Sequence, residues 1–330
     1  MEEYIACPTR YDDACYRRCG KSGILLPAIS LGLWHNFGSV DKYEDYSKIA
    51  FRAFDRGITH FDMSNNYGPE PGSAEVNFGK ILKAGLGKYR DELLISTKAG
   101  FEKWPGPYGN WASRKHIMTS LDQSLKRMGV DFVDIYYSHR PDPNTPIEET
   151  MGAMVDLVRS GKVLYIGLSN YNHEQTARAL EVLGEYRSSC LIHQDKYSMF
   201  ERWTEPHLLP LLGEKGVGMI AFSPLAQGML TNKYLGGVPS DSRAAKDTGN
   251  LQVSAITPEV LSKVKALNDI AAQRGQSLAQ MAIAWLLRDS RVSSVLIGAS
   301  SVKQLDDNLD ATKCIEFSEQ ELSQIEAILS

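Results

Sequence analysis

The feature that most narrows the fold is a period. Short apolar runs rich in β-forming residues recur at 29–34, 60–64, 93–98, 133–139, 163–169, 191–194, 218–223 and 294–298. Eight runs in a chain of 330 residues leave roughly 35 to 40 residues per unit, room for a strand, a helix and two loops. Helix signals fill the intervals. Thr145 can cap a helix with Pro146 at its first position and Glu148 three residues after the cap. Ile147, Met151, Met154, Val155 and Val158 then recur at helical spacing until Gly161. Ile117, Leu121 and Leu125 form a similar stripe that ends at Gly129. Thr257-Pro258-Glu259 opens another helix, with Val260, Val264 and Leu267 on one face, and Ser318 with Glu321 reads as the capping box of a last one.

Strands alternating with helices imply a parallel sheet covered by helices. Eight units favour an α/β fold of the closed (β/α)8 TIM-barrel type, as one domain over 1–330. A doubly wound sheet binding a dinucleotide would carry a Gly-rich turn after its first strand. Neither GxGxxG nor GxxxxGK[ST] occurs. Two additions are expected: an N-terminal β-hairpin at 16–26, acting as a lid, and a long polar loop at 225–256 after the seventh strand.

Composition removes several function classes. Apolar residues make up 43% of the chain and charged residues 23%, which suits a packed globule rather than disorder. The net charge is −4, which argues against a nucleic-acid binder that relies on bulk positive charge. No apolar run approaches the roughly twenty residues of a membrane-spanning helix. The N-terminus lacks an apolar secretory core. The five cysteines form no CxxC pair, so a reduced, cytoplasmic protein is expected. A metal-dependent barrel would need clustered His, Asp and Glu ligands, whereas the seven histidines are scattered.

Barrel chemistry sits at the C-terminal ends of strands. The second run leads through Asp62 to Tyr67, the third ends at Lys98 and the fourth at His139. Any one of these is unremarkable; together they make an acid/base set. Carbonyl reduction needs a hydride donor and a proton donor. Tyrosine holds its proton too firmly at neutral pH, and a buried ammonium beside it would lower its pKa. Lys98 can play that part, Asp62 can hold Lys98 in place, and His139 can orient the carbonyl.

Asp62, Tyr67, Lys98 and His139 match the tetrad of the aldo-keto reductases, and the chain resembles that family over almost its whole length. The runs 57–62, 72–75, 95–98 and 161–170 carry the likeness. The run 140–150 is similar to the branch containing voltage-gated potassium channel β subunits. Those proteins typically have Asn where His139 stands, so His139 favours a reductase. The runs 31–38 and 104–109 are similar to bacterial enzymes of that branch which reduce L-glyceraldehyde 3-phosphate.

The resemblance implies NADPH/NADP+ bound on the barrel rim. It assigns Ser169, Asn170 and Gln194 to the nicotinamide carboxamide and Phe222 to its ring face, with Trp34 and Asp62 alongside. Ser223, Leu225, Gln227 and Gly228 begin the loop over the pyrophosphate, where Lys233 and Arg243 would meet phosphates. Gly298, Ser300, Gln304, Asp307 and Asn308 would hold the adenosine end, although Gln304 replaces a basic residue found in some members. A small aldehyde, L-glyceraldehyde 3-phosphate or a methylglyoxal-like 2-oxoaldehyde, would meet Trp34, Tyr67, His139, Trp104 and Arg140. The loop 101–111, with Tyr108 and Trp111, would wall the pocket, and Lys103 would join Arg140 in facing an anion. The resemblance also implies a homo-tetramer or octamer, with no nucleic-acid or membrane partner and no metal. The alternative reading is an NADPH-binding regulatory subunit with slow turnover.

Overall fold

The computed structural model describes residues 4–235, 237 and 253–330. Eight parallel strands close into a barrel. They are β3 (Ile29–Gly32), β4 (His60–Asp62), β5 (Leu94–Ala99), β6 (Val133–Ser138), β7 (Val163–Ser169), β8 (Cys190–Lys196), β9 (Gly218–Phe222) and β10 (Val292–Ile297). β10 pairs with both β3 and β9, which leaves no open edge. The periodic reading and the TIM-barrel class therefore hold. The hairpin consists of β1 (Tyr16–Arg18) and β2 (Leu25–Pro27), paired antiparallel.

The hairpin is a plug for the far end rather than a lid over the site. Cys19 and Leu26 are fully buried against Ile135, Ile192 and Ile220 inside the barrel. Lys21 N–H donates to Gly216 O at 2.8 Å, and Ser293 Oγ donates to Arg18 O at 3.3 Å. Both partners stand where strands begin, so the N-terminal mouth is the closed one. Leu26 packs on apolar side chains of the barrel interior, which helps to seat the hairpin there.

Helices α1 (Tyr43–Asp55), α2 (Ser73–Ala84), α3 (Arg114–Met128), α4 (Ile147–Arg159), α5 (His173–Glu185) and α6 (Leu208–Lys215) each follow a strand. Two further pairs complete the ring: α7 (Pro258–Gln273) with α8 (Leu278–Leu287), and α9 (Val302–Leu309) with α10 (Glu319–Leu329). Thr257 caps α7 and Ser318 forms a capping box with Glu321, as the sequence predicts. The start of α4 differs. Pro146 occupies the cap position, and Thr145 Oγ1 instead donates to Asp142 Oδ2 at 2.7 Å. Asp142 also accepts from Asn144 N and Thr145 N, so its carboxylate organises this turn.

Strand register sets the rim. Asp62 lies opposite Ser96, and Lys98 lies opposite Tyr137. Tyr137 in turn faces Gly167, where a Cβ would stand 2.4 Å from the tyrosine ring. The ring thus fills the space that a side chain at 167 would need.

At Gly20 (φ 54°) a Cβ would stand 2.1 Å from Gly216 O, in a left-handed backbone. Gly20→Ala is expected to lower stability by about 2–4 kcal/mol. A urea midpoint equal to that of the parent protein would show that the hairpin seat has slack.

Candidate active site

The four tetrad residues converge at the C-terminal mouth. Asp62 and Lys98 are fully buried, and Tyr67 and His139 nearly so. Lys98 Nζ forms an ion pair with Asp62 Oδ2, donates to Met63 O at 2.7 Å, and reaches Tyr67 Oη at 3.3 Å. Its three donors are thereby used. Ser96 Oγ donates to Asp62 Oδ1 at 2.6 Å, and Gln194 Nε2 approaches the same oxygen at 3.3 Å. Asp62 and Lys98 therefore sit in the barrel wall without leaving a buried charge unpaired.

The electrostatics depart from expectation at Tyr67. Burial, and after it the Asp62 charge, hold the phenol well above the ordinary tyrosine range instead of below it. Tyr67 thus keeps its proton at neutral pH, as a donor must. Burial draws Lys98 below its ordinary value, against the pull of Asp62. His139 is held well below its ordinary value by burial, then by Lys98 and Arg140, and is neutral at physiological pH.

Ser64 governs the His139 tautomer. Ser64 Oγ has one proton and lies 3.0 Å from His139 Nδ1, 2.7 Å from Asn66 Oδ1 and 3.3 Å from Lys98 O. If that proton goes to Asn66 or to Lys98 O, Nδ1 carries the ring proton and Nε2 is bare. If the Asn66 amide turns over and donates, Ser64 serves Nδ1 and Nε2–H becomes the donor.

A cavity of about 870 Å³ opens above the tetrad. Trp34, Asp62, Tyr67 and His139 border it, as do Asn170, Gln194, Phe222, Ser223, Leu225, Gln227, Gly228 and Lys233. It continues past Gly298, Ser300, Gln304, Asp307 and Asn308. Ser169 lies just behind, its Oγ accepting from Asn170 Nδ2 at 3.0 Å. Arg243 falls outside the described residues. Ser223, Ala226 and Gln227 hold left-handed backbone (φ 55°, 46° and 59°), a conformation seen where loops shape a site. Asn308 Nδ2 and Gln227 Oε1 are buried without a partner among the described residues, which suits a polar ligand lying along this wall. Ser300 N and Oγ both donate to Gln304 Oε1, at 2.8 and 2.9 Å, so these two residues currently satisfy each other.

Three expected substrate contacts move off the wall. Trp104 packs on His116 at 4.9 Å between ring centroids and does not border the cavity. Lys103 donates to Pro71 O. Arg140 lies between the Phe101 and Trp111 rings, 4.2 and 3.7 Å from their centroids, and donates to Gly100 O at 2.8 Å and Asn110 Oδ1 at 2.9 Å. Its guanidinium is spent on holding the 101–111 loop against the rim. Of that loop only Phe101 borders the cavity, and Tyr108 is exposed. The sequence reading missed His35, Asn36, Asn66 and Lys303, which do border it. Adjacency to Trp34, Tyr67 and Gln304 is the only signal that marks them.

The description "Aldo/keto reductase family" belongs to the family model that matches residues 28–330. The chain belongs to that family. It is 55% identical over 329 residues to L-glyceraldehyde 3-phosphate reductase of Escherichia coli (strain K12), covering 98% of this chain and 94% of that protein. It is 38% identical over 309 residues to a probable voltage-gated potassium channel subunit beta of Arabidopsis thaliana, covering 91% and 92%. A putative voltage-gated potassium channel subunit beta of Schizosaccharomyces pombe is 35% identical over 325 residues, covering 96% and 93%. This aldo/keto reductase is therefore an oxidoreductase of a family that works with nicotinamide cofactors, and its relatives support the reduction of aldehydes. No described helix is long and apolar enough to cross a membrane.

Arg140→Lys removes the planar fork and most of the stacking. The aldehyde KM is expected to rise about 3- to 10-fold with little change in cofactor affinity. Unchanged steady-state constants would show that the loop stays in place without Arg140.

Proposed function

We propose that this aldo/keto reductase reduces small aldehydes with NADPH, L-glyceraldehyde 3-phosphate and methylglyoxal-like 2-oxoaldehydes among them. The observation that carries the reading is Lys98 Nζ, held by Asp62 and 3.3 Å from Tyr67 Oη beside the cavity. When bound, the reduced nicotinamide supplies the hydride that the carbonyl carbon accepts. Asn170, Gln194 and Phe222 would hold its nicotinamide end, and Ser300, Asp307 and Asn308 its adenosine end. Lys233 and Lys303 border the cavity and would meet its phosphates, and the family resemblance adds Arg243.

Tyr67 donates its proton to the carbonyl oxygen. The oxygen that develops there is far more basic than a phenolate, so the transfer runs downhill from even a firmly held phenol. Lys98 stabilises the phenolate that is left, and water returns the proton after release. His139, neutral, polarises the carbonyl from Nε2–H when Ser64 serves its Nδ1. The 55% identity to an L-glyceraldehyde 3-phosphate reductase supports the triose phosphate as a substrate. The likeness to proteins named as channel subunits supports an assembly of several chains, which we take to be a homo-tetramer or octamer in the cytoplasm.

The test is turnover of L-glyceraldehyde 3-phosphate, its D-enantiomer and methylglyoxal with NADPH and NADH side by side. NADPH binding without oxidation by any aldehyde would overturn the reading and favour a regulatory subunit. Tyr67→Phe is expected to lower kcat by about 10²- to 10⁴-fold while NADPH still quenches tryptophan fluorescence. Near-parent activity would remove Tyr67 as the donor. On the acid side the rate should stay flat through the ordinary histidine range, because His139 is already neutral there. On the alkaline side it should fall as Lys98, drawn below its ordinary value, loses its charge. An acid limb near the ordinary histidine value would contradict this assignment.

A further inference from the structure

Beneath the tetrad the barrel interior carries a polar layer where apolar side chains are the rule. Ser294 of β10, Ser30 of β3, His60 of β4 and Ser96 of β5 come from four neighbouring strands, and none has any solvent exposure. None of them borders the cavity. Ser30 Oγ lies 2.7 Å from Ser294 Oγ and 2.9 Å from His60 Nδ1. His60 Nε2 lies 2.9 Å from Ser96 Oγ, and Ser96 Oγ donates to Asp62 Oδ1 at 2.6 Å.

The polarity of this chain follows from proton counting. The Asp62 carboxylate only accepts, so the single Ser96 proton is committed to it. Ser96 Oγ must then accept from His60, which places the ring proton on Nε2. Nδ1 is left bare and accepts from Ser30 Oγ. The imidazole is neutral, with burial pushing it down to about 4. Ser294 has a single proton, which goes either to Ser30 Oγ or to Pro27 O at 2.7 Å, so the chain ends here, near the hairpin, with one of these two contacts left without a hydrogen. Four buried polar side chains are costlier than an apolar layer of the same volume unless every bond is made. From Ser30 onward every bond is made, and all run in one direction, toward the carboxylate oxygen that does not face Lys98.

We propose that His60 is a positioning residue for the reduction: through Ser96 it sets the rotamer of Asp62 and thereby the register of Lys98 on Tyr67. This rests on the proposed reductase reading. His60 touches neither the cavity nor the reacting atoms, so its removal should lower kcat and leave binding alone.

Ser96→Ala and His60→Met are each expected to lower kcat about 10- to 100-fold, with the aldehyde KM and the NADPH dissociation constant within about twofold of the parent. The double variant should be no worse than Ser96→Ala alone, because both changes cut one chain. His60→Gln should restore most of kcat, since its amide oxygen can accept from Ser30 and its NH2 can donate to Ser96. Thermal unfolding identifies a variant that has failed to fold; if His60→Met fails, Ser96→Ala and His60→Gln decide. A crystal structure of folded Ser96→Ala gives a readout independent of turnover, with Lys98 Nζ expected beyond hydrogen-bond reach of Tyr67 Oη. Parent-like kcat in Ser96→Ala, additive losses in the double variant, or an unmoved Lys98 would overturn the proposal. Absence of turnover in the parent enzyme would instead overturn the reductase reading, and the Lys98 position would then decide the role of His60.

Discussion

Lys98 carries its ammonium inside a barrel wall with no access to water. An isolated charge there would be neutralised or expelled, because desolvation costs several kcal/mol per ion. Asp62 on the next strand permits it, and the parallel register that puts Asp62 opposite Ser96 brings the carboxylate within reach. Much of the surrounding structure serves that pair. Met63 O takes a second ammonium proton, Ser96 and Gln194 occupy the other carboxylate oxygen, and the Tyr137 ring lies 5.4 Å from Nζ. The pair is too costly to be retained for stability alone, and a proton donor placed against it gives it a chemical use.

The two mouths of the barrel divide the work. The N-terminal mouth is shut by apolar packing of Leu26 and by backbone hydrogen bonds at Gly216. The C-terminal mouth carries the polar ends of the strands, the left-handed loop residues and the cavity. The polar layer around His60 lies between them, and runs from the carbonyl of Pro27 in the plug to the carboxylate of Asp62.

The fold was legible because a strand–helix unit leaves a long-range period that survives local ambiguity. The tetrad was legible because each member ends or follows an apolar run. The partners that individual side chains choose were not. Arg140 reads as a cation facing a substrate, but its charge is consumed by a backbone carbonyl and two aromatic faces supplied by residues 100–111. Thr145 reads as a helix cap, but Asp142, three residues earlier, takes its hydroxyl. The direction of the Tyr67 shift is set first by burial and then by the Asp62 charge, and spacing alone does not carry that information. His60 reads only as the residue opening a strand, because its partners come from strands separated from it by about thirty residues or more.

The interlock between Tyr137 and Gly167 has an evolutionary side. A larger residue at 167 is admissible only where 137 has already become smaller, since a Cβ there would stand 2.4 Å from the ring. A smaller residue at 137, arriving first, would open a void beside the buried ammonium and take away one of its two aromatic neighbours. Each single step costs packing, so lineages descended from this sequence are expected to exchange the two positions together or leave both alone.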